Sequence, residues 1–100
     1  MNIVKNLEGT KLTIALEGRL DTTTAPDLEA EVKSSLDNVN ELVFDFEKLE
    51  YISSAGLRVV LGAEKIMKGK GSMVVRNVND TIMEVFEITG FSDILNIEAK

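Results

Sequence analysis

Strand-like and helix-like segments alternate along this sequence from its first residues to its last. Leu12, Ile14 and Leu16 alternate with Thr13 and Ala15, which is the pattern of a half-exposed strand. Residues 42–44 and 73–75 are continuous apolar runs, typical of strands that are buried on both faces or nearly so. Because strands that alternate with helices tend to pair in parallel, we predict an α/β fold, and the length of 100 residues predicts one domain, residues 1–100.

The two ends of the chain each predict a further strand. Residues 3–7 suit a strand that pairs with the one containing Leu12, and residues 8–10 (Glu-Gly-Thr) suit the turn between them. Residues 94–97 predict a short last strand. The expected fold therefore begins with an N-terminal strand pair and continues in strand–helix units.

Three helices are predicted from the spacing of apolar residues and from the residues that flank them. In the first, Thr24 is expected to be the N-cap, with Asp27 in the capping-box position. The apolar face of this helix consists of Leu28, Val32 and Leu36. The second helix is expected from about residue 54 to the glycines at 69 and 71. The third is expected to start at Asp80 as its cap and to stop at Gly90.

The residue types that are missing narrow the range of functions. The chain has no cysteine, which excludes disulfides and thiolate metal sites, and no histidine, the commonest general base and metal ligand near neutral pH. A Ser-His-Asp triad therefore cannot form, and we expect no enzyme activity, no metal and no cofactor. A net charge of −6 without a cluster of Lys or Arg argues against nucleic-acid binding.

The apolar segments are also too short for a membrane protein. A bilayer requires about 20 apolar residues in a helix, and the runs here are much shorter. The first residues, Met-Asn-Ile-Val-Lys, do not resemble a signal peptide. We therefore expect a soluble, cytoplasmic protein with no membrane partner.

The segment from Asp45 to Leu57 departs from a plain alternation of core and surface residues. It suggests a strand, a polar connection, and then Ser53 and Ser54 at the start of a helix. One interpretation is a capped helix with a tight entry turn, since serine is a common N-cap. The other is an anion site, because a helix N-terminus offers free N–H donors and a partial positive charge. Serine catalysis is disfavoured because no base is placed beside either serine.

Three short motifs resemble those of the STAS domain family, in particular its free-standing anti-sigma factor antagonists. Residues 53–57 (Ser-Ser-Ala-Gly-Leu) resemble the family's Asp-Ser-x-Gly-Leu, which follows a strand that ends in an aspartate, here Asp45. Residues 18–21 are Gly-Arg-Leu-Asp, and residues 89–91 are Thr-Gly-Phe. The motifs come in the family's order and span nearly the whole chain. The resemblance implies helices packed on a predominantly parallel sheet.

The resemblance also implies a function. An unphosphorylated antagonist binds an anti-sigma factor that is also a serine kinase, and so releases a sigma factor. The kinase then phosphorylates the antagonist, and a PPM-type serine phosphatase reverses this. Aligned on Gly56 and Leu57, the phosphorylated serine falls on Ser54. Ser53 replaces the family's usual acidic residue and is the less favoured phosphosite. The alternative function is a STAS docking subunit of a stress-signalling complex or a transporter ATPase, without a phosphorylation cycle.

The residues expected to contact the partner surround the two serines. Asp21 is either a turn residue or a functional neighbour of Ser54, and Arg58 is either a solvated arginine or a contact to phosphate or partner. Gly56 is expected to leave the backbone open to another surface. The predicted partner-binding set is Asp21, Ser53, Ser54, Ala55, Gly56 and Arg58.

Overall fold

The computed structural model describes residues 1–100 and contains five strands and three α-helices. The strands are β1 (Asn2–Glu8), β2 (Lys11–Leu20), β3 (Glu41–Ile52), β4 (Ser72–Val78) and β5 (Ile97–Ala99). The helices are α1 (Ala25–Ser35), α2 (Ser54–Met67) and α3 (Asp80–Thr89), and a 3₁₀ turn covers Phe91–Asp93. No helix is both long enough and apolar enough to cross a membrane.

The strands form one sheet in the order β1-β2-β3-β4-β5. β1 and β2 are antiparallel, and every other neighbouring pair is parallel. The predicted N-terminal strand pair and the predominantly parallel sheet are therefore confirmed. Each strand–helix–strand unit leads to the adjacent strand, so the carboxyl ends of β2, β3 and β4 share one edge of the sheet. That edge carries the starts of α1, α2 and α3.

One face of the sheet forms the core with all three helices. Rows of apolar side chains run across it in register, such as Ile14, Phe44 and Val75 on adjacent strands. These residues belong to a single buried cluster of 25 side chains that includes residues from every helix. Val43 is also buried, yet it lies outside this cluster, because alternate residues of β3 point to the opposite face.

Two helix caps differ from the prediction. Thr24 stands at the N-cap of α1 but caps nothing: its hydroxyl donates to the Arg19 carbonyl and accepts from the Asp21 N–H, both at 2.9 Å. The predicted capping box is therefore wrong. For α3 the cap is Asn79, not Asp80, and its side-chain oxygen accepts from the Ile82 N–H at 2.8 Å.

Two strands also differ from the prediction. β3 does not end at Asp45: pairing with β4 stops there, but pairing with β2 continues to Ile52 across two register shifts. The expected strand at 94–97 is wrong because Leu95 packs into the core from a turn, in which the Phe91 carbonyl accepts from the Leu95 N–H. The last strand begins only at Ile97.

Candidate functional site

The start of α2 holds the two candidate serines in different environments. Ser53 is the N-cap: its backbone N–H donates to the Leu20 carbonyl at 2.9 Å, and its hydroxyl accepts from the Gly56 N–H at 3.4 Å. Its own carbonyl accepts the first helical hydrogen bond, from Leu57, at 2.9 Å. Ser53 is half-buried, and its hydroxyl and backbone groups are engaged in hydrogen bonds within the domain.

Ser54 is the first residue of α2 and is exposed. Its hydroxyl makes no hydrogen bond within the domain, unlike that of Ser53. The side chain therefore stands free at a helix N-terminus, where unpaired N–H groups and the helix dipole favour negative charge. The structure confirms the capped-helix interpretation, with Ser53 as the cap. The anion site stays a prediction, for which Ser54 is an accessible hydroxyl beside the cap.

The expectation that Gly56 leaves the backbone open to another surface is wrong. Gly56 is buried, and a Cβ added there would lie 2.6 Å from Leu20 Cγ and 3.0 Å from Ile52 Cγ1. Both neighbours are themselves buried. The glycine therefore allows α2 to approach the ends of β2 and β3 closely inside the domain.

Asp21 organises the loop between β2 and α1, which confirms its interpretation as a turn residue. Its Oδ1 accepts from the Thr23 hydroxyl at 2.7 Å, from the Thr23 N–H at 3.0 Å and from the Thr24 N–H at 3.2 Å. The Thr23 hydroxyl, with help from these backbone donors, holds the pKa of the Asp21 carboxyl below its usual value. Asp21 is therefore ionised at neutral pH and fixed in one orientation.

The sheet brings the Asp21 loop and the serines to the same edge. Leu20 and Ile52 are direct neighbours in the parallel register, and the Leu20 carbonyl accepts from the Ser53 N–H. The chain thus passes from Leu20 to Asp21 on one strand and from Ile52 to Ser53 on the other. The proximity that the STAS resemblance implied for Asp21 and Ser54 has this physical basis.

Arg19 and Tyr51 also lie at this edge, and they were not predicted as site residues. The Arg19 guanidinium carbon lies 4.4 Å from the centroid of the Tyr51 ring, and Arg19 Nε lies 4.0 Å from Asp21 Oδ2. The two residues are register neighbours on β2 and β3. The only signal in the sequence was the place of Arg19 between Gly18 and Asp21 in a recognised motif.

Arg58 lies on the exposed side of α2, in a shallow groove against α1. The groove beside it is lined by Thr22, Pro26 and Glu29 from the α1 side and by Ala55 and Val59 from α2. Arg58 forms no ion pair or hydrogen bond within the domain, so its charge is available to another molecule. No group of His, Cys, Asp and Glu side chains in the domain could hold a metal ion.

Comparison with known proteins identifies one family and several related sequences. The sequence matches the STAS domain family over residues 2–100. It is 39% identical to the protein BtrV of Bordetella bronchiseptica over 88 residues, which cover 86% of this chain and 76% of that protein. It is 35% identical over 107 aligned positions to the anti-sigma-B factor antagonist of Listeria monocytogenes, covering 98% of this chain and 90% of that protein.

Solved structures share the fold at lower sequence identity. An anti-sigma factor antagonist from Mycobacterium paratuberculosis superimposes with a TM-score of 0.89 at 18% identity, over 99% of this chain and 86% of that one. The anti-sigma factor antagonist SpoIIAA, in its unphosphorylated form, gives a TM-score of 0.78 at 19% identity over 99% and 88% of the two chains. The phosphorylated form of SpoIIAA, from Bacillus, gives 0.78 at 21% identity over 99% and 92%.

Proposed function

This chain belongs to the STAS-domain anti-sigma factor antagonists, and we propose that its unphosphorylated form binds an anti-sigma factor that is also a serine kinase, which releases a sigma factor. Phosphorylation of Ser54 by that kinase ends the complex, and a PPM-type serine phosphatase restores it. The anti-sigma factor antagonists are regulatory proteins and not enzymes, in agreement with the missing catalytic base.

The observation that carries the assignment of Ser54 is the contrast between the two serines. Ser54 is exposed with a free hydroxyl, whereas Ser53 gives its hydroxyl and both backbone groups to the cap of α2. A kinase must bring the acceptor oxygen to the γ-phosphate, so the free hydroxyl is the better acceptor. Phosphate on Ser53 would displace the Gly56 N–H bond and disturb the start of the helix.

Charge explains how one phosphate can switch binding. A phosphoserine carries about −1.5 to −2 charges, on a helix N-terminus that is otherwise uncharged at Ser53, Ser54 and Ala55. Like-charge contact or an unpaired, desolvated charge at an interface costs several kcal/mol. Since about 1.4 kcal/mol corresponds to a tenfold change in affinity, a single phosphate is sufficient to separate the complex.

The test is phosphorylation by the cognate anti-sigma factor kinase with ATP, followed by mapping of the modified residue by mass spectrometry. We expect phosphate on Ser54, none on the Ser54→Ala variant, and normal phosphorylation of Ser53→Ala as the matched control. Phosphate mainly on Ser53 would refute the assignment of the site. Stable binding to a partner with no phosphate on either serine would instead indicate the docking-subunit function.

A further inference from the structure

We propose that the outer edge of β1 is a second interaction surface, at which two copies of this chain pair antiparallel and join their sheets. The proposal does not depend on the anti-sigma factor function. It starts from the difference between the two outermost strands of the sheet, β1 and β5. β5 has only three residues and a register shift against β4, so it offers little to pair with. β1 pairs with β2 over all seven of its residues without a shift.

The outer edge of β1 has little of the usual protection of an edge strand. Proteins block such edges with proline, bulges, very short strands, charged side chains on the edge or charged side chains that point inward. β1 contains no proline and no bulge. Its one lysine, Lys5, points inward toward α1, but Glu31 balances its charge there in an ion pair, and its ammonium group also donates to the Ser35 hydroxyl at 3.3 Å. A regular row of backbone N–H and C=O groups is thus left to pair with another strand.

Exposed apolar side chains accompany this edge. Val4 is 50% exposed and Leu7 is 61% exposed, although both are large aliphatic residues in a regular strand. The Val4 side chain is on the face that carries no helix, and Leu7 is on the helix face with Ile3 and Lys5. A second strand at this edge would cover apolar surface on both faces.

A second copy of β1 is the occupant that fits, because the strand is complementary to itself. Full pairing of seven residues places the two-fold axis at Lys5, the central residue. Leu7 of each copy then lies opposite Ile3 of the other, and Asn2 lies opposite Glu8. The two Lys5 side chains meet at the axis together with the two Glu31 carboxylates, which balances their charge. Ser54 follows β3, which β2 separates from β1, and it stays accessible in such a dimer.

The absence of cysteine from the chain allows a direct test by cross-linking. In the proposed register the Cα atoms of the two residues at position 5 are about 4.5–5.5 Å apart, within disulfide range. Residues at position 6 of the two copies are diagonal neighbours, about 7–8 Å apart, which is too far. Under mild oxidation with oxidised glutathione, we expect Lys5→Cys to form a covalent dimer and Asn6→Cys to remain a monomer. Equal cross-linking of both variants would overturn the proposed register.

Sedimentation equilibrium tests the dimer itself. We expect the unmodified chain to show a concentration-dependent dimer, and Leu7→Glu to raise its dissociation constant by at least about tenfold, because a carboxylate would then face Ile3 of the second copy. Ile88→Glu is the matched control: Ile88 is 77% exposed but lies on α3, and this change should leave the dimer unaffected. A chain that stays monomeric up to about 1 mM, or a dimer equally weakened by both changes, would overturn the proposal.

Discussion

The buried glycine of α2 predicts opposite effects for the same substitution at two positions of one helix. Gly56 and Gly62 are both inside α2. A Cβ at position 56 would lie 2.6 Å and 2.9 Å from Cγ and Cδ2 of Leu20, and 3.0 Å from Cγ1 of Ile52. A Cβ at position 62 would have no atom within 4 Å apart from its chain neighbours and the backbone of α2 itself. Gly56→Ala therefore overpacks the core, and Gly62→Ala does not.

The two effects differ in magnitude as well as in sign. Overpacking a tight core costs about 1–3 kcal/mol, and Leu20 and Ile52 are buried, so neither can move into solvent. Replacing glycine by alanine in a helix gains up to about 1 kcal/mol, and less in the first turn where Gly56 lies. We expect Gly56→Ala to lower the free energy of unfolding by about 1–2 kcal/mol and Gly62→Ala to raise it by about 0.5–1 kcal/mol.

Urea unfolding of the two variants and the unmodified chain measures this difference directly. A change of 1 kcal/mol in a domain of this size also moves the melting temperature by about 4–8 °C, so thermal unfolding gives an independent value. If Gly56→Ala proves as stable as Gly62→Ala, the close approach of α2 to Leu20 does not constrain the fold, and the packing argument for this glycine is wrong.

Three further predictions concern the end of the sheet at which β2, β3 and β4 finish. Because the pKa of Asp21 is lowered in the folded state, its carboxylate stabilises the fold above its unfolded pKa of about 3.9, and this contribution disappears as the pH falls through the lower, folded value. The Asp21→Asn variant should therefore lose less stability than the unmodified chain as the pH falls from about 5 to about 2. Urea unfolding at several pH values measures this, and equal acid sensitivity of the two proteins would contradict it. Asn79→Ala should lower the free energy of unfolding by about 1 kcal/mol or more, since it removes the α3 cap and a 3.1 Å bond to the Leu49 carbonyl, and an unchanged unfolding midpoint would count against it. Arg58→Ala combined with Ser54→Asp should show non-additive effects on affinity for the anti-sigma factor in calorimetric titration, because Arg58 is one helical turn from Ser54; simple additivity would make Arg58 a solvated residue.

Local patterns in the sequence determined the class of fold and most of its elements. The alternation at Leu12, Ile14 and Leu16 and the helical spacing of Leu28, Val32 and Leu36 both reappear as buried faces, because burial of one face is what creates such periodicity. The motif around residues 53–57 identified the start of α2 correctly. The caps of α1 and α3 were predicted wrongly. The Thr24 hydroxyl bonds to the end of β2 and to the β2–α1 loop instead of capping α1, and at α3 asparagine and aspartate both suit the N-cap position.

Only the tertiary structure decided features that depend on neighbours distant along the chain. β3 continues past Asp45 because β2 supplies a partner as far as Leu20, which no pattern within β3 could indicate. Whether Gly56 faces solvent or core depends on Leu20 and Ile52, and the separate roles of the two serines depend on the bond between the Leu20 carbonyl and Ser53. Periodicity reports which side of an element is buried, whereas close approach and hydrogen bonding between elements arise only when the sheet brings their ends together.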